Sequence, residues 1–340
     1  MPNHSRLLSH SWAGEGAKNR CSRLAAWLVV LLGMLLAAGC SGGGQLTSPP
    51  VAAVATAGYQ VTDTQGNVLR LPQKPQRIIT LSLSSDEIVL GLTQPERVVA
   101  LHYLADDPGI STIAAEAGRV PVRLQEYNAE QILSLQPDLV IAPDWSRIEL
   151  IQTLRDMGIP VFVSKGPSSV AEVKQAIREI SQAIGEEAAG SRLLASMEAE
   201  LAGIAAKVRT IPPERRQTLV LISHMAAYGG KGSLFDDMCG YAGVINGAAA
   251  AGLGKNDVLA KEAIIRINPD LMLLPSWNGG ELNAAKVKTD LANDPALQTV
   301  KAIRTGRLEQ VPDLYLYCAS QDIVHAIRDI MQAAYPEQGD

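Results

Sequence analysis

Aromatic side chains are scarce in this chain: they make up 4% of 340 residues, and phenylalanine occurs only twice. Basic residues are outnumbered as well, 30 against 35 acids, for a formal net charge of −5. That balance excludes the strongly basic face of a nucleic-acid binder. Catalytic signatures are also missing. No G-x-G-x-x-G follows an apolar run, and no G-x-S-x-G elbow occurs. The stretch "GAAAAGLGKN" (247–256) has phosphate-loop glycine spacing, but Leu253 stands where a lysine is required, and it reads as a surface loop. Ser223 and His224 are adjacent, so in a strand they point to opposite faces and make a poor dyad. An enzyme of the cell envelope is therefore the rival reading, not the leading one. Histidine occurs five times. His4 and His10 precede an N-terminal apolar run, leaving His102, His224 and His325 for a fold. A dedicated bare-metal site needs three or four convergent ligands and is not expected. No resident cofactor is expected either.

What is present begins with Lys18, Arg20 and Arg23, followed by the apolar run Leu24 to Ala38. That run has signal-peptide length and is short for a membrane span. It closes on Leu36-Ala37-Ala38-Gly39-Cys40, which resembles the lipobox of bacterial lipoproteins. The resemblance implies cleavage before Cys40 and acylation of its sulfur; a plain signal peptide or an anchor helix is the alternative. The small, uncharged stretch 41–57 is a flexible tether. Cys239 and Cys318 remain in a compartment that permits disulfides, with their pairing open.

The body carries one unit twice. "EQILSLQPDLVIAPDW" (130–145) and "EAIIRINPDLMLLPSW" (262–277) match at an offset of 132 positions. Each reads as a short helix stopped before a proline, then a buried strand. Around them strands alternate with helices, which implies parallel, doubly wound α/β layers. "YQVTDTQGNVLRLP" (59–72) reads as a hairpin. "DPALQTVKAIRTG" (294–306) reads as one helix capped by Asp294. Between the halves, apolar residues Leu193, Met197, Leu201, Ile204 and Val208 mark one face of a long helix (187–209). The expected organisation is a signal peptide (1–39), a lipidated N-terminus and linker (40–57), an N-terminal lobe (58–167), a helical connector (168–210) and a C-terminal lobe (211–340). The fold class is α/β: two doubly wound lobes joined by a rigid helix, with a ligand cleft between them.

The hairpin, "PQRIITLSLSSDEIVLGL", the two Pro-Asp-Leu units, the stiff helix, "DPALQTVKAIRTGRLEQVP" and the lipobox together resemble the substrate-binding proteins of ABC importers for ferric siderophores, haem and cobalamin. The resemblance covers residues 58 to 335. It implies a non-enzymatic, lipid-anchored, extracytoplasmic monomer. Such a protein would capture a ferric siderophore or a cobalamin-type corrinoid, with haem as the alternative. It would then deliver that chelate to a permease dimer and its ATPase. It further implies that Glu130 and Glu262 dock onto permease arginines. A helix-start glutamate favoured by the helix dipole is the plainer account of each.

Ligands of open α/β sheets bind beyond the carboxyl ends of strands. The residues expected there are Ser82, Ser84, His102, Tyr103, Tyr127 and Trp145 from the first lobe. The second lobe would add His224, Tyr228, Lys231, Trp277, Tyr315 and Tyr317. Few arginines fall among them, though Arg123 and Arg147 lie nearby. The scarce aromatics thus concentrate where a large planar ligand would need them. His102 or His224 could contact a chelated metal, or be polar pocket residues without a metal bond.

Overall fold

The computed structural model describes residues 58–223, 228–279, 283–317 and 319–338. Cys40, His224 and Cys318 lie outside the described residues. Strands β1 (Tyr59–Thr62) and β2 (Val68–Leu71) form the antiparallel hairpin. Its turn uses Gly66 at φ 84, and the Asp63 carboxylate accepts from the backbone of Gln65 and Asn67.

The N-terminal lobe continues through β3 (Ile78–Thr80), α1 (Leu83–Leu92), β4 (Val98–His102), α2 (Ala114–Ala117) and β5 (Val122–Leu124). It closes with α3 (Ala129–Ser134), β6 (Leu139–Pro143), α4 (Ile148–Asp156) and β7 (Val161–Ser164). Its five strands lie parallel in the order β5-β4-β3-β6-β7. Every residue of β3, β6 and β7 is buried, as strands covered on both faces must be.

Two helices connect the lobes. Ser169 caps α5 (Val170–Ala183) by accepting from Glu172 N, and Gly185 at φ 71 turns the chain into α6 (Glu187–Val208). Gly190 lets the two helices pack closely, since a Cβ there would meet Ser181 Oγ at 2.4 Å. Met197, Leu201 and Ile204 are buried along α6, with Leu193 and Val208 partly buried beside them. At about 1.5 Å per residue, α6 spans roughly 33 Å. It packs on α1 of the first lobe and on helices of the second.

The C-terminal lobe holds β8 (Thr218–Leu221), α7 (Leu234–Tyr241), β9 (Ile245–Asn246), α8 (Gly247–Ala250), α9 (Lys261–Ile267) and β10 (Leu271–Leu274). It ends with α10 (Ala284–Asn293), α11 (Lys301–Arg304), β11 (Leu308–Gln310), α12 (Asp313–Leu316) and α13 (Ile323–Ala334). Its parallel sheet has the order β11-β10-β8-β9.

The duplicated unit is built the same way in both lobes. The residue directly before each proline has positive φ: Asn268 at φ 52 caps α9, and Gln136 at φ 49 follows Leu135, the C-cap of α3. The following aspartate then ties its strand to the neighbour. Asp138 accepts from the backbone N–H of Gln76 and Arg77, and Asp270 accepts from Thr218 N. The Pro-Asp pair is thus a device for stopping a helix and registering the start of a central strand.

Two expectations need correction. Residues 294–306 are not one helix but a 3-10 turn, Pro295–Leu297, followed by α11. The Asn268 side chain takes the Lys301 N–H at 2.7 Å, which restarts the helix there. The stretch 247–256 is not merely a surface loop. Its first residues form α8, capped by Asn246, and Lys255 and Asn256 reach the cavity described below.

Candidate functional site

Strand order reverses direction between β3 and β6 in one lobe and between β8 and β10 in the other. Crevices form at such switch points, beyond the carboxyl ends of the strands. A cavity of about 850 Å³ lies there, lined from both lobes. The first lobe contributes Ser82, Ser84, His102, Tyr127 and Trp145; the second contributes Tyr228, Trp277 and Tyr317. The structure therefore gathers most of the residues named from sequence.

Others fall elsewhere. Tyr103 is exposed beside the His102 ring and does not line the cavity. Lys231 is exposed and outside the lining, its backbone N–H donated to Leu253 O. Tyr315 packs against the core and His325. Arg123 makes a two-pronged pair with Asp106, Arg147 starts α4, and no arginine among the described residues lines the cavity. Cys239 is a buried free thiol on α7.

Each wall has its own support. Ser82 caps α1, and Ser84 Oγ accepts from Ala319 N of the other lobe at 3.1 Å. His102 donates its backbone N–H to Asp86, while its Nδ1 accepts from Leu104 N at 3.2 Å. Burial pushes the imidazole down to about 4, so the ring is neutral at physiological pH and its proton resides on Nε2. Trp145 stands over Gly166, where a Cβ would meet the ring at 2.3 Å. Trp277 crosses between lobes: its indole N–H donates to Asp107 Oδ2 at 2.9 Å, and Gly109 leaves it room. Its backbone is held by the buried carboxylate of Asp313. Tyr228 and Tyr317 pack at 5.0 Å, with hydroxyls donated to Leu316 O and Ser223 Oγ.

Sequence reasoning missed several participants. Lys165, Gly166 and Asp144 reach the cavity from the ends of β6 and β7, and Lys165 pairs with Glu172 at 2.5 Å. Asp86 and Glu87 look like ordinary helix-start acids, yet both are fully buried. Asp86 accepts from Thr80 and holds the His102 backbone, and its burial raises its pKa well above the carboxylate range. Glu87 sits where the lobes meet, outside the cavity lining: Oε1 accepts from Thr112 N, and its backbone carbonyl accepts from Gln321. Burial pushes its pKa up to about 7, and the neighbouring Asp322 adds to the shift. Glu87 Oε2 has no hydrogen-bond partner, a situation that suits a neutral carboxyl.

No group of three or more His, Cys, Asp or Glu that could hold a bare metal ion occurs among the described residues. No helix among them is long and apolar enough to cross a membrane. Among the described residues the cavity is a large, aromatic-walled container lined by the neutral His102 imidazole, Asp144, Lys165 and Lys255, without an arginine.

Comparison with known proteins gives four findings. The family described as periplasmic binding protein matches residues 78–314. An uncharacterised ABC transporter substrate-binding lipoprotein, YvrC of Bacillus subtilis, is 25% identical across 93% of this chain and 98% of its own length. A cobalamin-binding protein of Halobacterium salinarum is 28% identical, over 42% of this chain and 38% of that protein. Among solved structures, the apo periplasmic haem-binding protein RhuT of Roseiflexus sp. RS-1 superposes with a TM-score of 0.66 at 28% identity, covering 77% of this chain and 99% of that one.

Proposed function

This chain belongs to the periplasmic binding protein family, and we propose that it is the extracytoplasmic substrate-binding lipoprotein of an ABC importer. Its cargo is a large metal chelate of low net charge, a cobalamin-type corrinoid or a ferric siderophore. One observation carries the reading: the 850 Å³ inter-lobe cavity is walled by Tyr127, Trp145, Tyr228, Trp277 and Tyr317 and, among the described residues, by no arginine. Rigid rings supply contact area to a flat or bulky ligand at low entropic cost. A strongly anionic ligand would instead draw arginine forks.

Haem is the second reading, favoured by the likeness to RhuT. Two features weigh against it. Its carboxylates find only Lys165, already paired with Glu172, and Lys255 on the cavity wall. His102 cannot ligate iron through Nε2 without surrendering its bond to Leu104 N, because Nε2 carries the proton.

Cys40 would anchor the chain to the membrane through its lipid. Glu130 and Glu262 would dock on the permease dimer. Both are exposed, and neither carboxylate is tied into an ion pair or hydrogen bond among the described residues. The Asn128 side chain caps α3 just before Glu130, and Ala260 opens α9 before Glu262.

The test is the absorption spectrum of protein purified from its native host, followed by tryptophan-quench titration with cyanocobalamin, a ferric hydroxamate and haemin. Saturable quenching by one of the first two is expected. Tight binding of haemin alone overturns the preferred cargo. Quenching by none of them overturns the chelate reading. Fractionation of Cys40→Ala tests the anchor: the variant should leave the membrane fraction and keep its affinity.

A further inference from the structure

Resting on the docking role proposed above, we propose that Leu133 and Ile265 form the apolar half of the permease-docking surface. Each would be paired with the glutamate one helical turn before it. Leu133 is 41% exposed and Ile265 39%. A lone exposed leucine needs no explanation, because much of any protein surface is apolar. These two residues are not independent. They occupy the same position in the duplicated unit, 132 residues apart. The neighbours match as well. Ile132 and Ile264 are buried at 0% and 4%, so each short helix turns one apolar residue inward and leaves the next outward.

Residues three apart on a helix lie on one face, with Cβ atoms about 5–6 Å apart. Glu130 and Leu133 therefore share a face of α3, and Glu262 and Ile265 share a face of α9. Both pairs are exposed. Each lobe thus presents the same two-point patch of carboxylate and aliphatic side chain. The occupant this fits is a two-fold pair of membrane subunits, each offering a cation beside an apolar depression. A charge alone steers and registers but is screened by salt, over about 10 Å at 0.1 M. An apolar contact at the centre of the patch persists when the charges are screened.

The experiment measures binding of the full-length, ligand-free protein to vesicles carrying the cognate permease and ATPase, at low and high salt. Wild type, Leu133→Ala/Ile265→Ala and Glu130→Ala/Glu262→Ala are compared. The apolar double variant should bind about tenfold more weakly at both salt levels, as expected for two truncated aliphatic contacts. The wild type should keep measurable binding at high salt, and the apolar variant should lose it. Melting temperature should not change, because both side chains are exposed. If the apolar variant binds like wild type while the glutamate variant fails, this inference falls and the docking reading stands. If the glutamate variant also binds like wild type, the docking reading itself falls. Sedimentation reads the other occupant, a second copy of this chain. Conversion of a dimer to a monomer by the apolar variant would assign the patch to self-association and overturn the proposal.

Discussion

At the start of the duplicated unit the two lobes agree residue by residue. Gln136 and Asn268 both sit at positive φ before proline, Asp138 and Asp270 both hold the neighbouring strand, and Leu133 and Ile265 are equally exposed. At its end they differ. Trp145 is 66% exposed and rests on Gly166 of its own lobe, whereas Trp277 is half-buried and bonded to Asp107 of the other lobe. The difference follows from what each end faces. A two-fold membrane partner requires equivalent contacts from both lobes. A chelate with no two-fold axis requires unlike walls. The two tryptophans are the same residue in both copies, so it is their surroundings that differ, and under the proposed function the symmetric contacts would face the partner and the unlike ones the ligand.

The strongest way to break this comparison is at the symmetric end. Glu130→Ala/Glu262→Ala should abolish uptake into vesicles carrying the permease, with ligand affinity intact and each single change falling between. Full transport by the double variant would reduce these residues to helix starts.

The next effect lies where the lobes meet and contribute unlike groups: Glu87 from one, Ser320, Gln321 and Asp322 from the other. The Glu87 pKa is raised from 4.5 to about 7. Its contribution to stability is therefore complete below about pH 4.5 and is lost as pH rises to about 7. At 1.36 kcal/mol per unit, that loss is on the order of 3 kcal/mol. Glu87→Gln should lack this slope, so its melting temperature should gain on wild type between pH 5 and pH 8. A constant difference across that range would show that Glu87 is ionised throughout.

A smaller effect separates the two tryptophans. Trp277→Ala should weaken ligand binding more than tenfold, because it removes the more buried of the two indole walls. Trp145→Ala should cost about three- to tenfold with no loss of melting temperature, since the ring is exposed. Equal losses would make the walls equivalent and remove the asymmetry. A strong drop in melting temperature with affinity spared would make both residues packing groups.

Much of this architecture was legible in the sequence because its signals are local. The hairpin turn at Gly66 and the two helix-proline-strand units write their structure within a few residues. The aromatic residues past strand ends were legible for the same reason. What escaped depends on contacts between distant parts. The break at Lys301 comes from Asn268, 33 positions earlier. Asp86 is buried against β3 and β4 of its own lobe and Glu87 against residues 320–322 of the other, and two acids in a first turn read alike whether wet or dry. Tyr103 and Lys231 follow strand regions as their cavity-lining neighbours do, but their side chains leave the other way, and only the completed backbone decides that.

The bond from Trp277 to Asp107 has a consequence in time. It ties one lobe to the other beside the cavity, so under the proposed function a bulky ligand that enters past Trp277 would have to open this contact. Opening taxes arrival and departure alike. Removing the acceptor with Asp107→Ala should therefore speed both association and dissociation in stopped-flow traces while changing their ratio little. A carrier that must hold its cargo until it reaches a permease would gain from slow release, and on the proposed function this bond would lengthen the residence of the cargo.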